Sequence, residues 1–235
     1  VELDLKRINV IIGPQSAGKS CILKIACFCA WAEKRIQLEQ SQNGFNDAEY
    51  LEENLIGFHK LGGFFEKGRD AKFKYVTDYL WFQYEYDKDN DAFTWGWNKT
   101  GHWKYRRTRV SYIPAERNVI AAIPNWMEVS MKYNNIRNFI NDWMLTRSYY
   151  NKEHKLDILG LGVKYYFDEK SGQDFIELED GKPLNFTNGS SGIQSAVPML
   201  VYLGYLFENQ YLSGQYGKIS TDTENEEILN HIYEK

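Results

Sequence analysis

The sequence predicts an α/β fold in which a core sheet is flanked by helices and joined to an antiparallel β-meander lobe. Two patterns carry this prediction. Near the start, residues 3–12 are predicted to form a strand pair or one long strand. Its apolar run at 7–12, typical of a buried strand, leads through a glycine-rich turn into an apolar helix that begins at Lys19. Further on, from about 72 to 109, short aromatic strands alternate with polar turns. Because 43% of the 235 residues are hydrophobic, we expect one domain over 1–235 with a full core.

The composition limits which cellular compartment and which binding partners we expect for the chain. The formal net charge of -4, from 28 basic and 32 acidic side chains, gives the chain no overall attraction to nucleic acid or anionic lipid. Its three cysteines, Cys21, Cys27 and Cys29, crowd onto one predicted helix and cannot form a disulfide framework, which is typical of a reducing compartment. No apolar run approaches the ~20 residues of a membrane span, and no signal peptide is visible. We therefore expect a cytoplasmic protein without a membrane partner.

The turn before the first helix has the sequence of a phosphate-binding loop. Gly13 and Gly18 allow the backbone to curl with its N–H groups pointing inward, at the positive end of the helix dipole. Lys19 would place a charge between the β- and γ-phosphates of ATP, and the Ser20 hydroxyl would bind the accompanying Mg2+. The motif predicts nucleotide binding, against the alternative of a turn that binds nothing. The predicted nucleotide-binding residues are Gly13, Pro14, Gln15, Ser16, Ala17, Gly18, Lys19, Ser20 and Cys21.

Two helices precede the meander. The first is predicted to run from Lys19 to about Gln40, with an apolar stripe that ends where the sequence becomes more polar. The second is predicted from about Asp47, with apolar residues at helical spacing, and stops at the pair Gly62-Gly63.

The meander lobe, about 72–109, contains predicted strands at 79–86 and 93–97. Its aromatic side chains could stack on bases, and a basic cluster follows them, which is the composition of a nucleic-acid-binding face. The alternative is that the aromatics pack against cross-strand neighbours while the charges are solvated, and the net charge favours it. DNA is thus a candidate partner on local grounds alone. The cluster comprises Lys99, Lys104, Arg106, Arg107 and Arg109.

A further buried strand is predicted at 110–113, closed by the turn Pro114-Ala115-Glu116-Arg117. Site residues of α/β proteins lie at the carboxyl ends of sheet strands, which makes Glu116 a candidate catalytic acid. The alternative is that Glu116 belongs to the first turn of a helix, where the dipole favours an acid. The sequence does not decide between the two.

A helical segment is predicted over about 116–160, made of a long helix at 126–150 and a short one at 155–161. After it, 163–167 and 175–178 flank a turn and predict a β-hairpin.

A second helix start with small, flexible residues follows the hairpin. Asn188-Gly189-Ser190-Ser191-Gly192-Ile193-Gln194 leads into an apolar helix, and its serines can cap that helix and leave an anion-ready N-terminus. Taken alone, this stretch is an ordinary helix cap. The region around this helix start extends over about 184–208.

Taken together, the two stretches resemble the Walker A and signature motifs of the ABC-type ATPase superfamily. Within that superfamily, the chain is similar to the AAA/RecF/SMC-like heads grouped with the overcoming-lysogenization-defect (OLD) ATPases. The block Tyr112-Ile113-Pro114-Ala115-Glu116-Arg117 and the hairpin before the signature add to the resemblance.

The resemblance implies a homodimer in which ATP lies between the P-loop of one head and the signature of the other. Lys19 and Ser20 would act on the nucleotide of their own head, with Ser20 as the Mg2+ ligand. The signature residues Ser190, Ser191, Gly192 and Gln194 would serve the partner's nucleotide, with Ser191 and Gly192 at its γ-phosphate. The resemblance further implies a DNA-directed or defence-related activity and an unidentified protein partner.

The chain also departs from the pattern of that superfamily. Ile193 stands where a second glycine is usual, Cys21 replaces a common threonine, and Pro198 lies inside the helix after the signature. No apolar strand ending in Asp-Glu, the Walker B motif that helps hold Mg2+, follows the signature helix before Lys235. We therefore expect the sequence to be a fragment or to lack its Walker B part.

Three hypotheses about function follow. The first is an ATP-hydrolysing head that dimerises around ATP. The second is a nucleotide-dependent binding or switch module with little or no hydrolysis, consistent with the missing motif. The third is a P-loop kinase or GTPase, although no Asn-Lys-x-Asp stretch for reading guanine is present.

Overall fold

A computed structural model describes residues 1–42, 44–65, 70–86, 92–98, 109–123 and 128–212. The chain divides into two compact units, Val1–Val110 and Ser111–Lys235, and each is described by itself. Both units combine helices with an antiparallel sheet, so the broad prediction of a mixed α/β protein is confirmed. In the described ranges, no helix is long and apolar enough to cross a membrane.

The first unit is built around one long helix. Helix α1, Lys19–Glu39, buries an apolar stripe that includes Phe28, Ala32 and Ile36. Helix α2, Ala48–Leu51, is started by Asp47, whose side chain accepts a hydrogen bond from the backbone N–H of Glu49, and it continues into a π-helical turn over Glu52–Gly57. Both helices occur where the sequence predicted them.

A three-stranded antiparallel sheet completes this unit. Its strands are β1, Ala71–Val76, β2, Leu80–Tyr86, and β3, Ala92–Trp97, in the order β1-β2-β3. The aromatics of the three strands, except Trp81, belong to the core cluster of the unit, and Phe82 and Phe93 stack at 5.2 Å between ring centroids. The sheet therefore uses these aromatics as core, as the packing alternative predicted. Four members of the basic cluster, Lys99 to Arg107, lie outside the described residues.

The strand predicted at 7–12 is wrong for the described structure. This segment pairs with no other strand there, and the two sheets contain only antiparallel pairs. The side chains of Ile8, Val10 and Ile12 are 85%, 78% and 89% exposed. A strand needs a neighbour for its backbone hydrogen bonds and a core for its apolar face, and this segment has neither within the described residues.

Three helices organise the second unit. A short 3-10 turn, Ala115–Asn118, runs into α3, Val119–Ala122, and α4, Asn135–Thr146, ends in another 3-10 turn. Helix α5, Ser191–Tyr205, continues into a π-helical turn over Leu206–Leu212. The predicted strand at 110–113 is not formed, because this segment pairs with no strand among the described residues.

A four-stranded antiparallel sheet lies in the same unit. Its strands are β4, Leu156–Asp157, β5, Lys164–Asp168, β6, Gln173–Glu177, and β7, Pro183–Asn185, in sequential order. The hairpin of β5 and β6 lies where the sequence predicted it.

The short helix predicted at 155–161 is wrong. The segment contains β4, followed by a tight turn in which Leu159 and Gly160 have φ of 54° and 66°. Consecutive left-handed residues cannot belong to a right-handed helix. The helical segment expected over about 116–160 thus ends at Tyr149.

The core of the second unit joins its sheet to α4 and α5. Trp143 of α4, Tyr165 of β5 and Val201 of α5 are fully buried in one cluster. This packing fixes the direction in which the start of α5 points, because the rest of the helix is held against the core.

Candidate functional site

The candidate phosphate loop precedes α1 and has a left-handed backbone at two positions. Ser16 and Gly18 have positive φ, 62° and 80°, and the Ala17 N–H donates to the Pro14 carbonyl at 3.3 Å. A Cβ on Gly18 would meet nothing within 4 Å, so its backbone conformation is what requires glycine. Gly13 has no positive φ, and a Cβ there would make only ordinary contacts. Of the two glycines predicted to shape the turn, Gly18 does so in this conformation.

The ammonium of Lys19 folds back over this loop. Its Nζ donates to the carbonyl oxygens of Gly13 at 2.8 Å and Pro14 at 2.5 Å. These two acceptors hold the positive charge beside the backbone that the motif assigns to phosphate. A phosphate oxygen is a stronger acceptor than a neutral carbonyl, so it could replace them as the partner of Lys19.

The start of α1 presents open backbone donors. The N–H groups of Gly18 to Cys21 precede the first intrahelical hydrogen bond, which Ile22 donates to the Gly18 carbonyl at 3.0 Å. The N-cap Gly18 supplies no side-chain acceptor, and the first turn contains no acid. The positive end of the helix dipole is therefore left for an external anion.

An open cleft of about 260 Å³ lies against this helix start. Its lining includes the polar residues Lys19, Ser20 and Lys24 and the apolar residues Leu61 and Phe64. The lining contains two cations and no carboxylate. The cleft can thus attract an anion that also carries an apolar or aromatic group.

The positive charge of Lys24 acts on the pKa values of two neighbouring side chains, His59 and Cys21. His59 is only 2% exposed, and its pKa is lowered to about 4 by burial first and by the positive charge of Lys24 second. Burial raises the pKa of the Cys21 thiol, while Lys24 opposes that change. At neutral pH the cleft therefore gains its positive charge from lysines, with His59 neutral and Cys21 a thiol.

The second predicted stretch forms a self-capped helix start. The Ser190 hydroxyl accepts from the Ile193 N–H at 3.4 Å, and the Gln194 amide Nε2 donates to the Thr187 carbonyl at 2.7 Å. Ser191 and Gly192 begin α5 and are exposed. Of the four predicted signature residues, Ser190 and Gln194 already have contacts within their own chain, while Ser191 and Gly192 face outward.

The block Pro114-Ala115-Glu116-Arg117 contacts this helix start. The Arg117 Nε donates to the Ser195 carbonyl at 2.7 Å, and another guanidinium nitrogen donates to the Pro114 carbonyl at 3.2 Å. Glu116 is exposed in the first turn of a 3-10 helix, as the dipole alternative predicted. The arginine of the block is thus a structural link, a role that the sequence did not assign.

The structure brings the loop residues Ser16 to Cys21 together with three residues that the sequence analysis missed: Lys24, Leu61 and Phe64. Lys24 lies four residues after Ser20 on α1 and thus on the same face of the helix, a spacing that could have indicated it. No local pattern marks Phe64, which reaches the cleft through a turn. No group of three or more metal-binding side chains occurs in the described part of the chain, and Ser20 remains the candidate Mg2+ ligand.

Searches against family models, curated proteins and solved structures find no match to this chain.

Proposed function

We propose that the chain binds ATP with Mg2+ in the cleft at the start of α1, as a P-loop ATPase head of the ABC/RecF-like kind. The observation that carries the proposal is the Lys19 ammonium, held at the loop by the Gly13 and Pro14 carbonyls beside an uncapped helix N-terminus. On binding, the triphosphate takes the place of the two carbonyls. The open N–H groups of the first turn then bind its oxygens.

The core sheet of a P-loop head is the part of the proposal that the described residues do not contain. Ile8, Val10 and Ile12 are exposed, and their segment pairs with no strand among those residues. The proposal is therefore carried by the loop and the start of α1.

A homodimer around ATP is the second part of the proposal. Ser191 and Gly192 are exposed at the positive end of α5, where the γ-phosphate of a partner's nucleotide could accept from them. Charge and helix dipoles would then meet the γ-phosphate from both heads, so hydrolysis would weaken the dimer. A DNA-directed or defence-related activity driven by this dimer rests on the resemblance alone.

A second candidate function is a nucleotide-dependent switch with little or no hydrolysis. The observation that favours it is the lining of the cleft, which has lysines and hydroxyls but no carboxylate. Such a lining can bind and position a triphosphate, whereas hydrolysis also needs a group that orients water and completes the metal site.

Three measurements on the wild-type protein test these proposals. Calorimetric titration with ATP and Mg2+ should show saturable binding, and its absence would overturn the proposed function. Phosphate release then separates the two candidates: turnover supports the ATPase head, whereas binding without turnover supports the switch. Light scattering with and without ATP reports the dimer, for which a doubled mass is expected.

A further inference from the structure

One aromatic residue of the cleft lies outside the core cluster formed by the described residues of its unit. Phe64 lines the cleft with the phosphate loop, yet its side chain is 55% exposed. Its neighbour Phe65 is buried and contacts the rings of Tyr84 and Tyr86 at 6.4 Å and 5.6 Å between centroids. The core is thus completed by Phe65, and Phe64 is turned outward into the cleft.

The turn that carries Phe64 is held by backbone hydrogen bonds. The N–H groups of Phe64 and Phe65 both donate to the Leu61 carbonyl, at 2.8 Å and 3.3 Å, and the Leu61 N–H donates to the Ile56 carbonyl at 2.8 Å. Leu61 itself is fully buried. Phe64 is therefore an exposed ring on an anchored support, which lowers the entropy lost when a ligand stacks on it.

The two parts of the cleft wall together define a ligand class. Lys19, Lys24 and the start of α1 attract phosphate, but a bare polyphosphate would leave the exposed side chain of Phe64 in contact with water. A nucleotide has phosphates at one end and a flat aromatic base at the other. Its base can stack on the Phe64 ring while its phosphates reach the loop.

We propose that Phe64 is the base platform of this cleft, and that the cleft selects nucleotides over inorganic polyphosphates because of it. The inference rests on the proposed function and deepens it, since it assigns the base-binding residue of the same site. Lys24 acts at the phosphate end as a second cation beside Lys19. The base and the phosphates are thus bound by different residues, so a substitution can weaken one interaction and leave the other.

The experiment titrates the full chain with two probes, ATP and inorganic tripolyphosphate, both with Mg2+, by calorimetry. Phe64→Ala should weaken ATP binding by roughly 10-fold, the scale of a lost base–aromatic stack, and leave tripolyphosphate binding unchanged. Phe64→Tyr keeps a ring and should keep the affinity for ATP. Lys24→Gln removes a phosphate contact and should weaken both probes by a similar factor.

Phe207→Ala is the matched control, because Phe207 is the same residue type, is also 55% exposed and lies in the second unit. It should change neither affinity. Circular dichroism of each variant checks that the fold is kept, and Phe64→Leu, which keeps an apolar side chain without a ring, replaces Phe64→Ala if that variant fails to fold.

The outcomes separate the two proposals. Equal losses for ATP and tripolyphosphate in Phe64→Ala, or no loss for either, would overturn the base platform. Tripolyphosphate binding to the wild type as tightly as ATP would also overturn it, while leaving a phosphate loop. If neither probe binds the wild-type protein, the proposed function itself fails.

Discussion

The starts of α1 and α5 are chemically alike, but they differ in what satisfies the backbone N–H groups of the first turn. Each is the positive end of a helix with small residues ahead of it. At α5, the Ser190 hydroxyl accepts a hydrogen bond from its own first turn, so the chain caps itself. At α1, Gly18 offers no side chain, and Lys19 and Lys24 add positive charge beside the open N–H groups.

The comparison shows that small residues before a helix do not alone distinguish a cap from an anion site. At a self-capped start, one backbone N–H of the first turn already donates to a side chain of the same protein, and this hydrogen bond stabilises the helix. An uncapped start leaves its donors to water, which is tolerable where a ligand replaces that water. The features that separate α1 from α5 are the missing cap, the paired lysines and the apolar wall of a cleft.

The largest effect is expected from Lys19→Ala. Removal of this ammonium takes away the charge-assisted contacts to the phosphates, each worth roughly 1.5–3 kcal/mol, so ATP affinity should fall by ~100-fold or beyond detection. Calorimetry measures the loss. Lys132→Ala, an exposed lysine of the second unit, is the control and should bind ATP normally. If Lys19→Ala binds ATP with wild-type affinity, the start of α1 is not the ATP site.

Ser191→Arg tests whether the start of α5 contacts a second head. A long, charged side chain at the exposed start of α5 should block the approach of a second head and abolish the mass doubling on addition of ATP. Because Ser191 is not part of the α1 cleft, ATP should still bind there, with its affinity lowered only by the lost coupling to dimerisation. Light scattering and calorimetry on the same sample give both results. A doubled mass in this variant would sink the two-head model.

His59 should give the first unit a pH dependence. Its pKa is about 4 in the folded protein against an ordinary 6.5, so the unfolded chain binds a proton between these values and the folded one does not. Stability should therefore be lost as pH falls from about 6.5 toward 4, by about 2 kcal/mol between pH 7 and pH 5. Urea unfolding at both pH values measures it. In His59→Gln this difference should shrink by that amount; an equal difference in both proteins would contradict the burial of a neutral imidazole.

The smallest effect is expected from Ser190→Ala. Loss of the cap hydroxyl should destabilise the protein by about 1 kcal/mol in urea unfolding, and ATP affinity should not change. Ser190→Asp keeps an acceptor for the first turn and serves as the matched control, with stability near that of the wild type. If Ser190→Ala leaves stability unchanged but weakens ATP binding, the roles assigned to the two helix starts are wrong.

Elements specified by local signals could be predicted from the sequence. Asp47 and Ser190 are polar caps in front of apolar runs, and both begin helices at those positions. The meander was predictable because its aromatic strands alternate with turn residues, and three antiparallel strands occur there. In each case the information lies within a few residues of the element.

The remaining features depend on distant contacts or on single backbone angles. Residues 7–12 have the composition of a buried strand, but composition supplies no partner strand. The left-handed angles at Leu159 and Gly160 end a pattern that otherwise suits a helix. Phe64 and Phe65 are adjacent and identical in type, and only the packing of Phe65 on β2 shows which of them faces the cleft.

Hydrogen–deuterium exchange with and without ATP and Mg2+ tests directly whether ATP binds at the start of α1, since it measures the exchange of the backbone N–H groups on which that site depends. The account predicts slower exchange at Gly18 to Cys21 on addition of ATP, in the wild type and in Ser191→Arg alike, and none in Lys19→Ala. Protection at the start of α5 should appear only in the wild type, where a second head can approach. Unchanged exchange at Gly18 to Cys21 with saturating ATP would contradict the account.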